Sequence, residues 1–357
     1  MEKHLFIICS ILLFVVCGCS TRLTDSEKQA LVMEKYNPER NLSEVNDYRT
    51  FDVKGPVRKI TYTQDSLHLY NPITEVRFET DGRLKECFAE GDDLWMSKSE
   101  RGKDESLKMI ELGSYTSACQ IYLTYFCGKD RRVDSLYVQD TLEGDGDVYL
   151  YKYSDSGSLN GLCQISYVFN TYKDNFDETT VEYTVFTDSV DSHGNWIVRT
   201  FKSADGEIKK EERNIEYYEP RVLPIKSDSL VYCVIEPKFE EKEIMIYNQN
   251  TERWTRFLAF GEDVPYHRLK DARAVGDNIF CIFFTEACGG PGHDCDVMRY
   301  SIPTGKWQSV IWCHEDSEFV GDSIKAHIFD ITKFGEFNMD NEYSDYIKWI
   351  DMRKEVE

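Results

Sequence analysis

The residues best suited to chemistry are thinly spread along this chain. Cys288, His293 and Cys295 lie close together, and Cys313-His314 follows. Thiolate and imidazole are the donors of structural zinc sites, which hold the ion tetrahedrally. The Cys-x6-Cys separation is longer than a usual zinc knuckle. The intervening Gly289-Gly290-Pro291-Gly292-His293-Asp294 is rich in turn formers, which bring two sulfurs together. A disulfide between Cys288 and Cys295 is therefore expected in preference to a metal, and no cofactor is expected. His193, ahead of Gly194-Asn195-Trp196, has no activated serine or cysteine beside it, and the chain has no Gly-x-Ser-x-Gly elbow. It reads as a turn residue. Carboxylate pairs such as Asp92-Asp93, Asp145/Asp147 and Glu240-Glu241 are of the type that performs acid–base work. With 64 acidic residues in the chain, however, such adjacency is commonplace. Glu143-Gly144-Asp145-Gly146-Asp147 has the oxygen-rich character of a calcium loop without the EF-hand spacing, and reads as a solvated hairpin tip. No catalytic residue and no metal ligand is assigned.

One thiol does have a distinctive context. After Met1-Glu2-Lys3-His4 comes an apolar run from Leu5 to Val16, then Cys17-Gly18-Cys19. The run suits the apolar core of a secretory signal. It is too short for a bilayer span, which needs about 20 residues. Val16-Cys17-Gly18-Cys19 resembles the lipobox of bacterial lipoproteins. In that family the cysteine sulfur receives a diacylglyceryl group, the signal is cleaved before it, and the new amino terminus is acylated. The resemblance implies a signal peptide over 1–18 and lipid attachment at Cys19, with the membrane as partner. Two or more acyl chains anchor stably where one does not. Ser20 follows Cys19 where some family members carry an aspartate that retains them at the inner membrane. The implied location is therefore the outer membrane, its face left open.

Six Asp-Ser/Thr-aliphatic tripeptides resemble the O-glycosylation acceptor of some Gram-negative lipoproteins. The candidate acceptors are Ser66, Ser135, Thr141, Ser189, Ser229 and Ser323. The same tripeptide also suits a turn that ends on Asp-Ser and hands over to a strand.

These features need a scaffold. The 357 residues suffice for two domains, and 22 Tyr with 20 Phe favour strands. A net charge of −22 repels phosphate backbones, so nucleic acid is not an expected partner. Residues 19–50 are polar and read as a tether. Thr24-Asp25-Ser26-Glu27 is a capping box that predicts a short helix to about Tyr36.

From 51 to 220 alternating strands meet glycine turns. Phe78-x-x-Asp81-Gly82-x-Leu84 is matched by Tyr153-x-x-Ser156-Gly157-x-Leu159, and loosely by Phe201 to Ile208 through Asp205-Gly206. With Gly194-Asn195-Trp196 and the closing Arg213-Asn214-Ile215-Glu216-Tyr217-Tyr218, these phrases resemble degenerate YD/RHS-like repeats. That resemblance implies an antiparallel sheet of stacked hairpins and no catalytic residue. From 221 to 357 a different unit appears. Tyr247, Thr251 and Trp254 recur as Tyr300, Thr304 and Trp307, and Ser227-Asp228, Gly276-Asp277 and Gly321-Asp322 precede strands. This resembles Kelch-type blades. Two units and a partial third cannot close a propeller, which takes four or more blades.

The expected fold is all-β: an antiparallel hairpin meander followed by a small, incomplete propeller-like domain. The expected function is a lipid-anchored, non-catalytic binding or structural module of the cell envelope, with a glycan or an envelope protein as partner. The alternative is an enzyme, or enzyme accessory, acting on extracellular glycan or peptide.

Overall fold

The computed structural model describes residues 23–43, 46–63, 72–89, 94–114, 120–128, 132–141, 145–170, 175–257, 267–285, 294–328 and 346–354. Two compact units divide them. One is Pro38–Glu219, and the other combines the N-terminal helix with the chain from Pro220 onward. Among the described residues, no helix is long and apolar enough to cross a membrane.

The first unit is a twelve-stranded antiparallel meander: β1 (Val57–Tyr62), β2 (Ile73–Phe78), β3 (Leu84–Ala89), β4 (Leu94–Arg101), β5 (Leu107–Ser114), β6 (Gln120–Cys127), β7 (Val133–Asp140), β8 (Gly146–Tyr153), β9 (Leu159–Asn170), β10 (Asn175–Val190), β11 (Trp196–Ser203) and β12 (Ile208–Tyr217). Each strand pairs with its sequence neighbour. β1 also pairs with β12, with Ile60 opposite Ile215, so the sheet closes into a barrel. The sequence predicts the meander but not its closure. Closure removes the two exposed edges that an open meander would present. The strands β1, β2 and β3 share one burial pattern, placing Val57, Ile60 and Tyr62, then Ile73, Val76 and Phe78, then Leu84, Cys87 and Ala89 inward. The first two inward residues are three apart instead of two. Register shifts lie at Val57/Lys59 and Ile73/Glu75, where an extra residue adds twist.

The glycine turns share one geometry. In each, the first loop-flanking residue donates its N–H to the carbonyl four positions on, and the glycine donates back. The pairs are Glu79–Arg83, Ser154–Ser158, Asp191–Asn195 and Ser203–Glu207, with Gly82, Gly157, Gly194 and Gly206 at positive φ. This is the three-residue hairpin loop that needs a left-handed residue at its last position. Gly102–Ser106 repeats it with Glu105, at φ 62, in the glycine's place.

The second unit opens with α1 (Asp25–Tyr36). Its capping box is complete, with Thr24 Oγ1 accepting from the Glu27 amide and Glu27 accepting from the Thr24 amide. The helix belongs to the unit's core and does not hang as a free tether. Val32 is fully buried, Lys28 donates 2.7 Å to the Ile225 carbonyl, and Gln29 bonds Pro220 and Val222.

Two four-stranded meanders follow. The first is β13 (Arg221–Val222), β14 (Leu230–Lys238), β15 (Glu241–Asn248) and β16 (Arg253–Arg256). The second is β17 (His267–Val275), β18 (Asn278–Thr285), β19 (Asp294–Ser301) and β20 (Lys306–His314). Among the described residues, one register pair, Lys242–Leu269, links them. A third, three-stranded sheet holds β21 (Glu318–Val320), β22 (Ser323–Ile328) and β23 (Tyr346–Asp351). The propeller-like repeat is visible in the side chains. Tyr247 lies opposite Trp254 with ring centroids 5.0 Å apart at 48°, and Tyr300 lies opposite Trp307 at 5.0 Å and 45°.

Candidate functional site

In the barrel unit, the segment before β1 folds inward. Phe51 is buried and packs on Phe78 and Tyr125 with centroids 5.5 and 6.3 Å away. The Tyr48 hydroxyl donates 2.7 Å to the Val57 carbonyl, and Asp47 accepts a bidentate pair from Arg101. Arg213 of β12 holds this segment in place. It donates to the carbonyls of Trp196, Phe51 and Asp52, and its guanidinium lies 3.7 Å from the Trp196 ring centroid. Arg199 sits 4.2 Å from the same centroid and pairs with Asp52. Burial pulls the Arg213 guanidinium below its ordinary value, and the Asp52 carboxylate acts against that. For Asp52, burial pushes the carboxyl up, but the Arg199 charge and hydrogen bond outweigh it and hold it below the usual range.

Bordering this cluster is a cavity of about 60 Å³, walled by Tyr62, Tyr125, Tyr151, Tyr153, Trp196 and Arg199. Asp52 and Glu211 also reach it. Burial pushes the phenols of Tyr62, Tyr125 and Tyr153 up, so they stay neutral and can donate as well as accept. The Tyr125 hydroxyl and the Arg199 Nε are buried and make no hydrogen bond with the described residues. Tyr125 also lines a larger groove of about 520 Å³, with Lys103, Asp104, Ser106, Lys108 and Phe126. Phe126 turns the other way on β6 and is 55% exposed. The groove is of the size that holds small ligands, and it mixes apolar walls with a few polar groups.

The residues predicted from sequence fall elsewhere. Cys19, Ser66 and Cys288 lie outside the described residues. Cys295 is buried in β19, directly opposite Cys313 of β20, and no disulfide joins two described residues. Ser135 and Ser189 are half-buried inside β7 and β10, not in turns. Thr141 is exposed just beyond β7, where its hydroxyl exchanges hydrogen bonds with the Gln120 backbone. Ser229 precedes β14, and Ser323 opens β22 after a turn at Gly321. His193 is a turn residue, stacked 4.0 Å from the Tyr217 ring and 3.2 Å from Glu219. Its neighbour Asn195 bonds Lys54 and Tyr217, which ties the Gly-Asn-Trp turn to the inserted segment. Sequence reading missed Arg199 and Arg213. Arg199 stood between Trp196 and Phe201 on the inward side of β11, which was a readable signal, but the buried positions of β12 are the charged Glu211 and Arg213, so apolar alternation gave none there.

No protein-family model matches the sequence, and no curated protein matches it. Two solved structures are similar in a limited sense. The tricorn protease aligns at 13% identity and a TM-score of 0.21, over 87% of this chain and 35% of its own. A prolyl endopeptidase aligns at 9% and 0.16, over 85% of this chain and 56% of its own. The chain thus spans about a third and about half of these two proteins' lengths. At such scores neither carries an argument about fold or activity.

Proposed function

We propose that this chain is a lipid-anchored cell-envelope protein, held through Cys19, whose barrel serves as a non-catalytic binding module for a glycan. One observation carries the reading. An aromatic-walled cavity and its adjoining groove share Tyr125, whose buried hydroxyl has no partner among the described residues. A buried hydroxyl or guanidine N–H left unpaired costs about 1–3 kcal/mol. Both atoms are closed to solvent in this state, so a hydroxyl-rich ligand supplies the missing partners at Tyr125 and Arg199 as the cavity widens to admit it, and aromatic faces suit the apolar faces of sugar rings. Asp52 is committed to Arg199, which speaks for recognition over acid–base chemistry.

The test is calorimetric titration of the purified chain with peptidoglycan-derived and capsular-type oligosaccharides, for wild type and Arg199→Met. Saturable binding weakened about tenfold or more by the variant is expected, the equivalent of one lost buried hydrogen bond. Turnover of the same oligosaccharides would instead favour the enzyme reading. Mass spectrometry of the mature amino terminus tests the anchor, and a diacylglyceryl-modified Cys19 is expected.

A further inference from the structure

In the second unit a separate set of donors converges. We propose that His314, Asp316 and His327 form a binding site for a late first-row divalent cation, of which Zn²⁺ is the representative. His314 ends β20, His327 lies in β22, and Asp316 sits in the turn between β20 and β21. The His314 Nδ1 is 3.1 Å from one oxygen of Asp316, and the His327 Nδ1 is 2.7 Å from the other. One donor atom from each residue can be chosen so that none is more than 4.8 Å from another. Ligands at about 2.0–2.2 Å around a tetrahedral ion lie roughly 3.3 Å apart, so small rotations of the two rings complete the site.

The turn carrying Asp316 is fixed from several sides. The Ser317 amide donates 3.1 Å to the His314 carbonyl, and Lys270 donates to the carbonyls of Glu315 and Ser317. Ser317 is fully buried, and its hydroxyl accepts 2.9 Å from the His327 amide. That bond ties the strand bearing one imidazole to the turn bearing the carboxylate. Such outer contacts hold metal ligands in position before the ion arrives. Two imidazoles and one carboxylate select zinc, copper or nickel over calcium and magnesium, which prefer oxygen alone. Three protein ligands with half-exposed imidazoles leave a coordination position open to solvent.

The site shares only His314 with the cysteine-histidine group considered from sequence. Cys313 turns the other way into the core and is 2% exposed.

The experiment is calorimetric titration of the chelator-treated full chain with Zn²⁺, with Ca²⁺ and Mg²⁺ as comparators, for wild type, His327→Ala, Asp316→Asn and Cys313→Ser. Circular dichroism checks that each variant is folded, and Co²⁺ absorption reports coordination geometry. The expected result is one Zn²⁺ per chain and tetrahedral Co²⁺ bands. Affinity falls at least about tenfold in His327→Ala and Asp316→Asn and is retained in Cys313→Ser. Absence of Zn²⁺ binding in wild type overturns the proposal. So does binding indifferent to both the His327 and Asp316 variants, or binding lost only in Cys313→Ser.

Discussion

The Arg213 Cζ lies 3.7 Å from the centroid of the Trp196 ring, and the Arg213 Nε donates 2.8 Å to the carbonyl of that same residue. The contact joins β12 to β11, and the remaining guanidinium nitrogens reach Phe51 and Asp52. A single buried cation thereby organises the cavity wall and the inserted segment together.

Replacing it should be costly. Arg213→Leu strips the partner from three backbone carbonyls at once, and each orphaned group costs about 1–3 kcal/mol. A loss of at least about 3 kcal/mol in urea unfolding is expected. Arg213→Lys should recover little, because an ammonium lacks the planar fork that spans separated acceptors.

Asp52 makes stability depend on pH. Its carboxyl is held below the ordinary range by Arg199 despite burial pushing the other way. A depressed folded value contributes stability above the unfolded value of about 3.9, and that contribution is lost as pH falls through the folded value. Unfolding free energy should therefore drop on acidification from about pH 5 downward. The Asp52→Asn variant should be weaker at neutral pH and show a shallower acid slope.

The two propeller-like repeats share a left-handed backbone position but fill it with different residues. Glu252 stands at φ 52 where the second copy has Gly305 at φ 64. A left-handed conformation costs a side-chain-bearing residue about 1–2 kcal/mol. Glu252→Gly should raise the melting temperature by removing much of that cost. Gly305→Ala should lower it by introducing the same cost.

Thiol reactivity should divide by burial. Burial pushes the Cys233 thiol up to about 12, and it pushes Cys87 and Cys281 up as well. These three should resist iodoacetamide in the folded chain and label fully in denaturant, read by peptide mass mapping. Rapid labelling of any of them in the native chain would show that its wall of the core is open.

Local features of the fold were legible in the sequence because their causes are local. The capping box Thr24–Glu27 starts α1, Gly82 and Gly157 mark hairpins, and the Tyr/Trp spacing marks repeated strand pairs. The barrel's closure was not legible. Val57 meets Tyr217 across the whole unit, and no nearby residue signals that pairing. Polarity misled as well: α1 looks like part of a tether, yet Lys28 is buried by donating to the Ile225 carbonyl. The candidate sites failed to show for the same reason. Tyr125 and Arg199 lie on strands far apart in sequence, and His327 reaches Asp316 only once β22 has folded back beside the turn.

The measurement that bears most directly on the binding reading is the single substitution Tyr125→Phe, read twice. It deletes one buried hydroxyl that has no partner among the described residues, and little else. Unfolding free energy is expected to be unchanged or raised by up to about 1 kcal/mol, because an unsatisfied group disappears. Glycan affinity is expected to weaken about tenfold, because the ligand loses that partner. A variant that is less stable than wild type and binds the glycan equally well would show that the Tyr125 hydroxyl is satisfied within the fold and is not a ligand contact.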